Sequence, residues 1–516
     1  MNYGLATIVN ANGSMADLDD ESVWKLPDEF DDQALIHALE TLWSDHEKRN
    51  QIGARARGII QANHNPDRCA SEYKKVVEGA YKNNQQNLRK LSELIGSIAT
   101  ENVPESQVKV LAKSMAMTFP PLRIGRTLLV DISELVQLDA RTGIQRVVRS
   151  VLQNWLFHPP VGWRVEPVYA TAAEPYRYAR QFTTAFLGIP NMGLVDEPVD
   201  FAPLDVFFGL DLSPQVQTAK AGFFQQLRDQ GVVVKFLVYD LLCIHRPELF
   251  LPQVAEGLSQ WLQVVGESDG AVCISQSVEK DLRDWMERKQ WKRLRSFQLE
   301  ASTLGADIHG SAPTSGLPSD AENLLATLHQ RPSFLMVGTL EPRKAHAQVL
   351  GAFEQLWDGG SDRNLVIVGK QGWLVDKLLD RLRNHPELGK RLFWLEGISD
   401  EYLEKIYAAS SCLIAASHGE GFGLPLIEAA QNKLPIIARD IPVFREVAAE
   451  HAYYFDGLAP TDLAIAIEHW LALYAEGQHP RSDGMPWITW EQSAQQLLQL
   501  ILPQAASDLG SAPRSS

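Results

Sequence analysis

Residues 417–430 read SHGEGFGLPLIEAA and set Glu420 and Glu428 eight positions apart. Between the two acids a glycine turn, Gly421-Phe422-Gly423, leads into LPLIEAA, a helix-forming run. The stretch before it, SSCLIAA, is short and apolar and suits a buried strand, so the unit reads strand, glycine turn, helix N-terminus. Glycines let a backbone approach a ligand closely, and the first turn of a helix offers unpaired N–H groups at the positive end of its dipole. An anion is expected to be held here.

A second loop strengthens the reading. FLMVGTLEPRKAHAQVL (334–350) is again strand, loop and helix, and Arg343 and Lys344 stand where that helix begins. Taken together, HGEGFGLPLIE and GTLEPRKAH resemble the donor site of family 4 of the glycosyltransferases, retaining enzymes of the GT-B fold, over roughly residues 126–503. The resemblance implies an α/β protein with two Rossmann-like parallel-sheet domains facing a cleft. Here they are preceded by a partial α/β domain and a helical linker.

The 516 residues are too many for one core and suit about three domain-sized units. A net charge of −16 argues against a nucleic-acid partner. Cys69, Cys243, Cys273 and Cys412 lie far apart with no CxxC spacing, which favours buried reduced thiols over a metal site. The apolar runs are short and interrupted and Met1 opens no signal peptide, so the expected location is the cytosol, with peripheral contact at the inner membrane face as a further expectation.

Residues 1–83 resemble the end of the chain's own last domain. Laying Met1 on Ala430 matches MNYGLATIV with AQNKLPIIA, and ALIHALE then falls opposite DLAIAIE. The expectation is a leftover third of a first transferase domain, cut by a late start, a frameshift or design, and catalytically inert; the alternative is a small accessory cap. Residues 84–119 hold two amphipathic helix candidates and read as a helical linker. Residues 120–312 are expected to form the acceptor-side domain, with strands at 126–135, 164–170, 203–212, 232–242 and 270–275. Residues 322–503 form the nucleotide-sugar-binding domain, 310–321 the hinge between them, and 504–516 a disordered tail. RKQWKRLRS (288–296) reads as a solvated surface or as a face for anionic lipid or a lipid-linked acceptor.

The resemblance assigns roles residue by residue. Arg343 and Lys344 would neutralise the departing diphosphate, so no metal or other cofactor is expected, the nucleotide sugar being a co-substrate. Glu420 would contact hydroxyls of the transferred sugar, and Glu428 would accept hydrogen bonds from both ribose hydroxyls. The backbone of Gly421, Phe422, Gly423 and Leu424 would surround sugar and phosphate, and Gly397 would meet the nucleobase. Gly143, in the turn after the first strand, would face the diphosphate across the cleft; Arg141 and Arg146 beside it either add positive charge or are solvated. Asp240 is placed on the acceptor side or as a structural cap. Relatives often carry His just before this Asp, whereas this chain has Tyr239. His245 reads as a hydrogen-bonded loop residue.

The expected activity is retaining, metal-independent transfer of a hexose from a nucleotide sugar to a glycan or lipid-linked glycan in surface polysaccharide (lipopolysaccharide) biosynthesis. GDP-mannose is the first expectation for the donor, with UDP- and dTDP-sugars open. The alternatives are another GT-B enzyme, a phosphorylase or epimerase, and a non-catalytic nucleotide-sugar-binding subunit. Intact Arg343, Lys344, Glu420 and Glu428 argue against the last.

Overall fold

The computed structural model describes residues 1–80, 104, 107–108, 110–111, 114, 125–139, 142–190, 193–290, 295–307 and 313–503. The expected linker falls almost wholly outside these residues, as do Arg141, residues 291–294 of the basic run, residues 310–312 of the hinge with 308–309 before them, and the tail at 504–516. The chain divides into two compact units, 1–122 and 123–516.

In the smaller unit, strands β1 (Ile8–Asn10) and β2 (Trp24–Leu26) run parallel, followed by helices Asp32–Ser44 and His46–Asn63. Asp31 and Asp45 cap the helices by accepting from Ala34 and Lys48 N–H.

In the larger unit, strands and helices alternate, as a parallel sheet requires. The first sheet contains β3 (Arg126–Asp131), β4 (Trp163–Tyr169), β5 (Arg177–Tyr178), β6 (Val206–Gly209), β7 (Val233–Val238), β8 (Gly270–Cys273) and β9 (Gln298–Ala301), in the order β5-β4-β3-β6-β7-β8-β9. All pairs are parallel except β4 with β5. The second sheet contains β10 (Ser333–Val337), β11 (Asn364–Val368), β12 (Leu392–Leu395), β13 (Cys412–Ala415), β14 (Ile436–Arg439) and β15 (Tyr453–Phe455), in the order β12-β11-β10-β13-β14-β15, all parallel. Both orders reverse direction once, between β3 and β6 and between β10 and β13. Ligands of such sheets gather beyond the carboxyl ends of the strands at these reversals. The loops there are the ones carrying Gly143, Arg343, Lys344 and Glu420.

The apolar strands alternate sides with period two. Phe334, Met336, Leu365, Ile367, Ile414 and Ile437 face helices His346–Asp358 and Pro460–Ala475 in one core. Leu335, Val366, Leu413, Ile436 and Ala438 face the other way, into a core continuous with that of the first sheet. Phe334 sits edge-on to both Phe353 and Trp470, with centroids 5.5 and 5.7 Å away.

The smaller unit repeats an edge of this second sheet. Ile8 pairs with Trp24 and Ile437 with Tyr453, sixteen residues apart in both cases, and a helix follows each second strand. The match in strand register is the one that laying Met1 on Ala430 requires. Each helix buries one face, Ala38 and Leu42 in the first and Leu463, Ala466, Ile467 and Trp470 in the second.

Several contacts tie the two sheets of the larger unit together. The closing helix Trp490–Ile501 lies on helix Gly143–Phe157, with Trp155 Nε1 donating to the Ala494 carbonyl at 2.9 Å and Lys235 Nζ to the Leu500 carbonyl at 2.8 Å. Ser275 Oγ donates to the Gly421 carbonyl at 2.8 Å, and Glu446 accepts from the N–H groups of Gln276 and Ser277 at 2.7 and 2.9 Å. The seam is tight at Gly421, where an added Cβ would stand 2.1 Å from the Tyr239 carbonyl oxygen. Glycine is therefore needed at 421 by the packing of the sheets themselves. No described helix is long and apolar enough to cross a membrane.

Replacing Gly421 by Ala should push the walls apart at this seam and lower the unfolding midpoint, at a cost of about 1–3 kcal/mol. Gly143→Ala is the control, because nothing lies within 4 Å of the added carbon there and its helix gains a better former. Differential scanning calorimetry of the pair checks this: equal midpoints would show that the seam does not constrain residue 421.

Candidate active site

The loop after β10 closes as a short 3-10 turn, Pro342–Lys344, and Ala345 then takes a left-handed conformation (φ 60°, ψ 32°) before helix His346–Asp358 begins. The loop after β13 ends at Gly423 (φ 117°), from which helix Leu424–Gln431 starts, as LPLIEAA predicts. A backbone bond from His418 N–H to the Arg343 carbonyl, 2.7 Å, fastens the two loops together.

This brings Arg343, Lys344 and Glu420 into direct contact. The Glu420 carboxylate accepts from Lys344 Nζ at 2.6 Å, Arg343 Nη1 at 2.7 Å and Ser417 Oγ at 2.6 Å. Arg343 also forks onto Glu341, through Nε at 3.0 Å and Nη2 at 3.3 Å. Burial alone would raise the Glu420 carboxyl, but the Arg343 and Lys344 cations, with the bonds from Lys344 and Ser417, bring it down to about 2. Burial raises Glu341 in spite of the same two cations. His346, buried beside them, is pushed down to about 3 by burial and then by Lys344 and Arg343, so the ring stays neutral.

Asp240 stands at the carboxyl end of β7, where its Oδ1 accepts from Leu242 N–H at 3.0 Å. Burial raises its carboxyl, while Arg343 and Lys344 oppose the rise and Glu420 adds to it, so Asp240 belongs to the same electrostatic cluster from the first-sheet side. His245 is the last residue of the short helix Leu242–His245, rather than a loop residue as expected, and its ring faces Asp281 of helix Gln276–Arg288 at 3.7 Å.

Glu428 lies one turn into its helix and meets different partners. Arg146 Nη1 donates to its Oε1 at 2.5 Å and Tyr407 OH to its Oε2 at 2.7 Å. Gly143 opens the helix that carries Arg146, behind a capping box formed by Thr142 and Gln145. Gly397 (φ 63°) is on the loop after β12, three residues before Asp400, whose carboxylate acts on Arg146. Phe422 is buried, and Leu424 is the first residue of the helix.

The cavity lined by Lys344, Glu420, Gly423, Pro425 and Phe444 measures about 20 Å³. A nucleotide sugar needs several hundred Å³. Every residue lining the small cavity belongs to the strands, loops and helices of the second sheet. A larger cavity, about 550 Å³, opens at the amino ends of β10, β13 and β14 and contains none of the residues predicted for the site.

Three partners in the site were not predicted as site residues: Glu341, Ser417 and Tyr407. Glu341 and Ser417 lie two and three residues from their partners, a local signal that the sequence does contain. Tyr407 reaches Glu428 from another helix, and nothing in EYLEKIYAAS marks it.

The low Glu420 value fixes a pH dependence. A carboxyl held below its unfolded value near 4.5 contributes stability that is whole above that pH and is lost as pH falls toward about 2. The difference in unfolding midpoint between the native chain and Glu420→Gln should thus be constant from pH 5 to 8 and shrink below pH 4.5. A difference that changed between pH 6 and 8 would contradict the ion-paired assignment.

A family model described as Glycosyl transferases group 1 matches residues 325–482. The serotype-specific mannosyltransferase WbdA of Escherichia coli is 49% identical over 389 residues, which cover 74% of this chain and 46% of the relative. Another WbdA of the same species is 45% identical over 425 residues, covering 79% and 52%. The chain thus spans about half the length of the curated relatives it matches. Among solved structures, the sucrose-phosphate synthase of Thermosynechococcus elongatus superposes with a TM-score of 0.50 at 17% identity, over 73% of this chain and 98% of that one, a likeness of fold alone. The two facing parallel sheets are a GT-B fold, and residues 325–482 are a domain of the kind described as Glycosyl transferases group 1.

Proposed function

We propose that the larger unit is a retaining glycosyltransferase that moves mannose from GDP-mannose to a glycan or lipid-linked glycan in surface polysaccharide assembly, without a metal ion. The observation that carries the reading is the cluster of Arg343, Lys344 and Glu420 at the reversal of the second sheet, beside the N-terminus of the Glu428 helix. Two adjacent cations there match the two charges of a departing diphosphate. The choice of mannose rests on the printed activity of the WbdA relatives. The proposed setting is the cytoplasmic face of the inner membrane, where a lipid-linked acceptor would be met.

In this reading the donor's diphosphate takes Arg343 and Lys344 from Glu420. The freed carboxylate then holds hydroxyls of the hexose, while Glu428 accepts from the ribose. The backbone of Gly421–Leu424 lines sugar and phosphate, with Gly143 opposite and Gly397 toward the base. The acceptor hydroxyl enters on the face the phosphate leaves. The bond from C1 to the phosphate oxygen breaks, the bond from C1 to the acceptor oxygen forms, and the acceptor's proton passes to the leaving phosphate oxygen. Asp240, on the acceptor side of the cluster, orients that hydroxyl. Residues 1–83 are proposed to be an inert repeat of the last third of a transferase domain.

Lys344→Ala should lower transfer from GDP-mannose to a mannan oligosaccharide by about 10²- to 10³-fold, the usual cost of one lost transition-state charge partner. Chromatography of the labelled product and a thermal melt check this together. Undiminished turnover in a folded variant would overturn the assignment of the cluster.

A further inference from the structure

Glu428 is almost fully buried, and burying a carboxylate is costly unless it is paired. Its charge partner comes from the other sheet. Arg146 sits one turn into helix Gly143–Phe157, reaches across the cleft, and meets Oε1 while Tyr407 meets Oε2. Two donors occupy two of the roughly four acceptor positions of a carboxylate, one on each oxygen. That leaves about one acceptor position on each oxygen. The Arg146 guanidinium is itself only partly used: its Nε–H is buried and has no acceptor among the described residues. An unfilled buried donor is expensive in a finished site and is the kind of position a ligand oxygen completes.

We infer that Arg146 is a positioning residue of the nucleotide site, supplied by the opposite sheet: with Tyr407 it sets the rotation of the Glu428 carboxylate so that both oxygens face the ribose diol. The inference rests on the donor reading above. It makes recognition of the ribose depend on contact between the two sheets, so a donor is gripped fully only where the cleft brings helix Gly143–Phe157 against helix Leu424–Gln431. Lysine could keep the charge but not the planar fork that fixes the angle.

The test is calorimetric titration of the whole chain with GDP and with 2′,3′-dideoxy-GDP, repeated with the UDP pair if UDP is the nucleotide that binds. The native chain should prefer the ribose form at least tenfold. Arg146→Gln should reduce that preference to within about twofold, and Arg146→Lys should fall between. Loss of affinity for both nucleotides by the same factor, with the preference intact, would mean a merely structural role and would overturn the inference while leaving the donor reading standing. A native chain that binds both forms equally would overturn it as well. A native chain that binds no nucleoside diphosphate would overturn the donor reading and the inference together.

Discussion

The site is organised by one buried carboxylate. Glu420 is taken out of water among Arg343, Lys344 and Ser417, and a charge so buried survives only when it is paired. That need holds two loops, from strands that are not consecutive in the chain, in a single geometry. The sheet order puts β10 and β13 side by side, and the bond from His418 to the Arg343 carbonyl completes the join. In the proposed function this cluster is an exchange: a diphosphate replaces Glu420 as partner of the two cations, and the displaced carboxylate binds sugar hydroxyls at the same place.

A second constraint runs across the cleft. Gly421 touches the Tyr239 carbonyl, Asp240 answers to the charges on the far loop, and Arg146 spans to Glu428. The first sheet therefore contributes to the electrostatics of the loop and helix that carry Glu420 and Glu428. The two sheets are thus in contact at the loop and helix that carry Glu420 and Glu428.

Much of this was legible in the chain. The apolar runs FLMVG, NLVIVG and SCLIAA read as strands because their β-branched and apolar residues fit both faces of a covered sheet, and GFGLPLIE marked its helix start through glycine. Strand β5 escaped because two residues carry no periodicity, and β9 because QLEA is polar at a sheet edge. The pairing of Arg343 with Glu420 follows from adjacent loops and could be expected once both sat at one reversal of the sheet. The bond from Arg146 to Glu428 could not, since 282 positions separate them and only the docking of two sheets brings them together. Gly421 was read as a place for ligand approach, and the sequence could not reveal that the Tyr239 carbonyl already requires it.

The most direct measurement is a crystal structure of the chain with GDP-mannose, or with GDP and mannose, bound. The diphosphate should lie against Arg343 and Lys344 with Glu420 turned onto the hexose, and the ribose should meet Glu428 while Arg146 remains on it. A nucleotide bound elsewhere, with the contacts of Glu420 to Arg343 and Lys344 unchanged, would contradict the account.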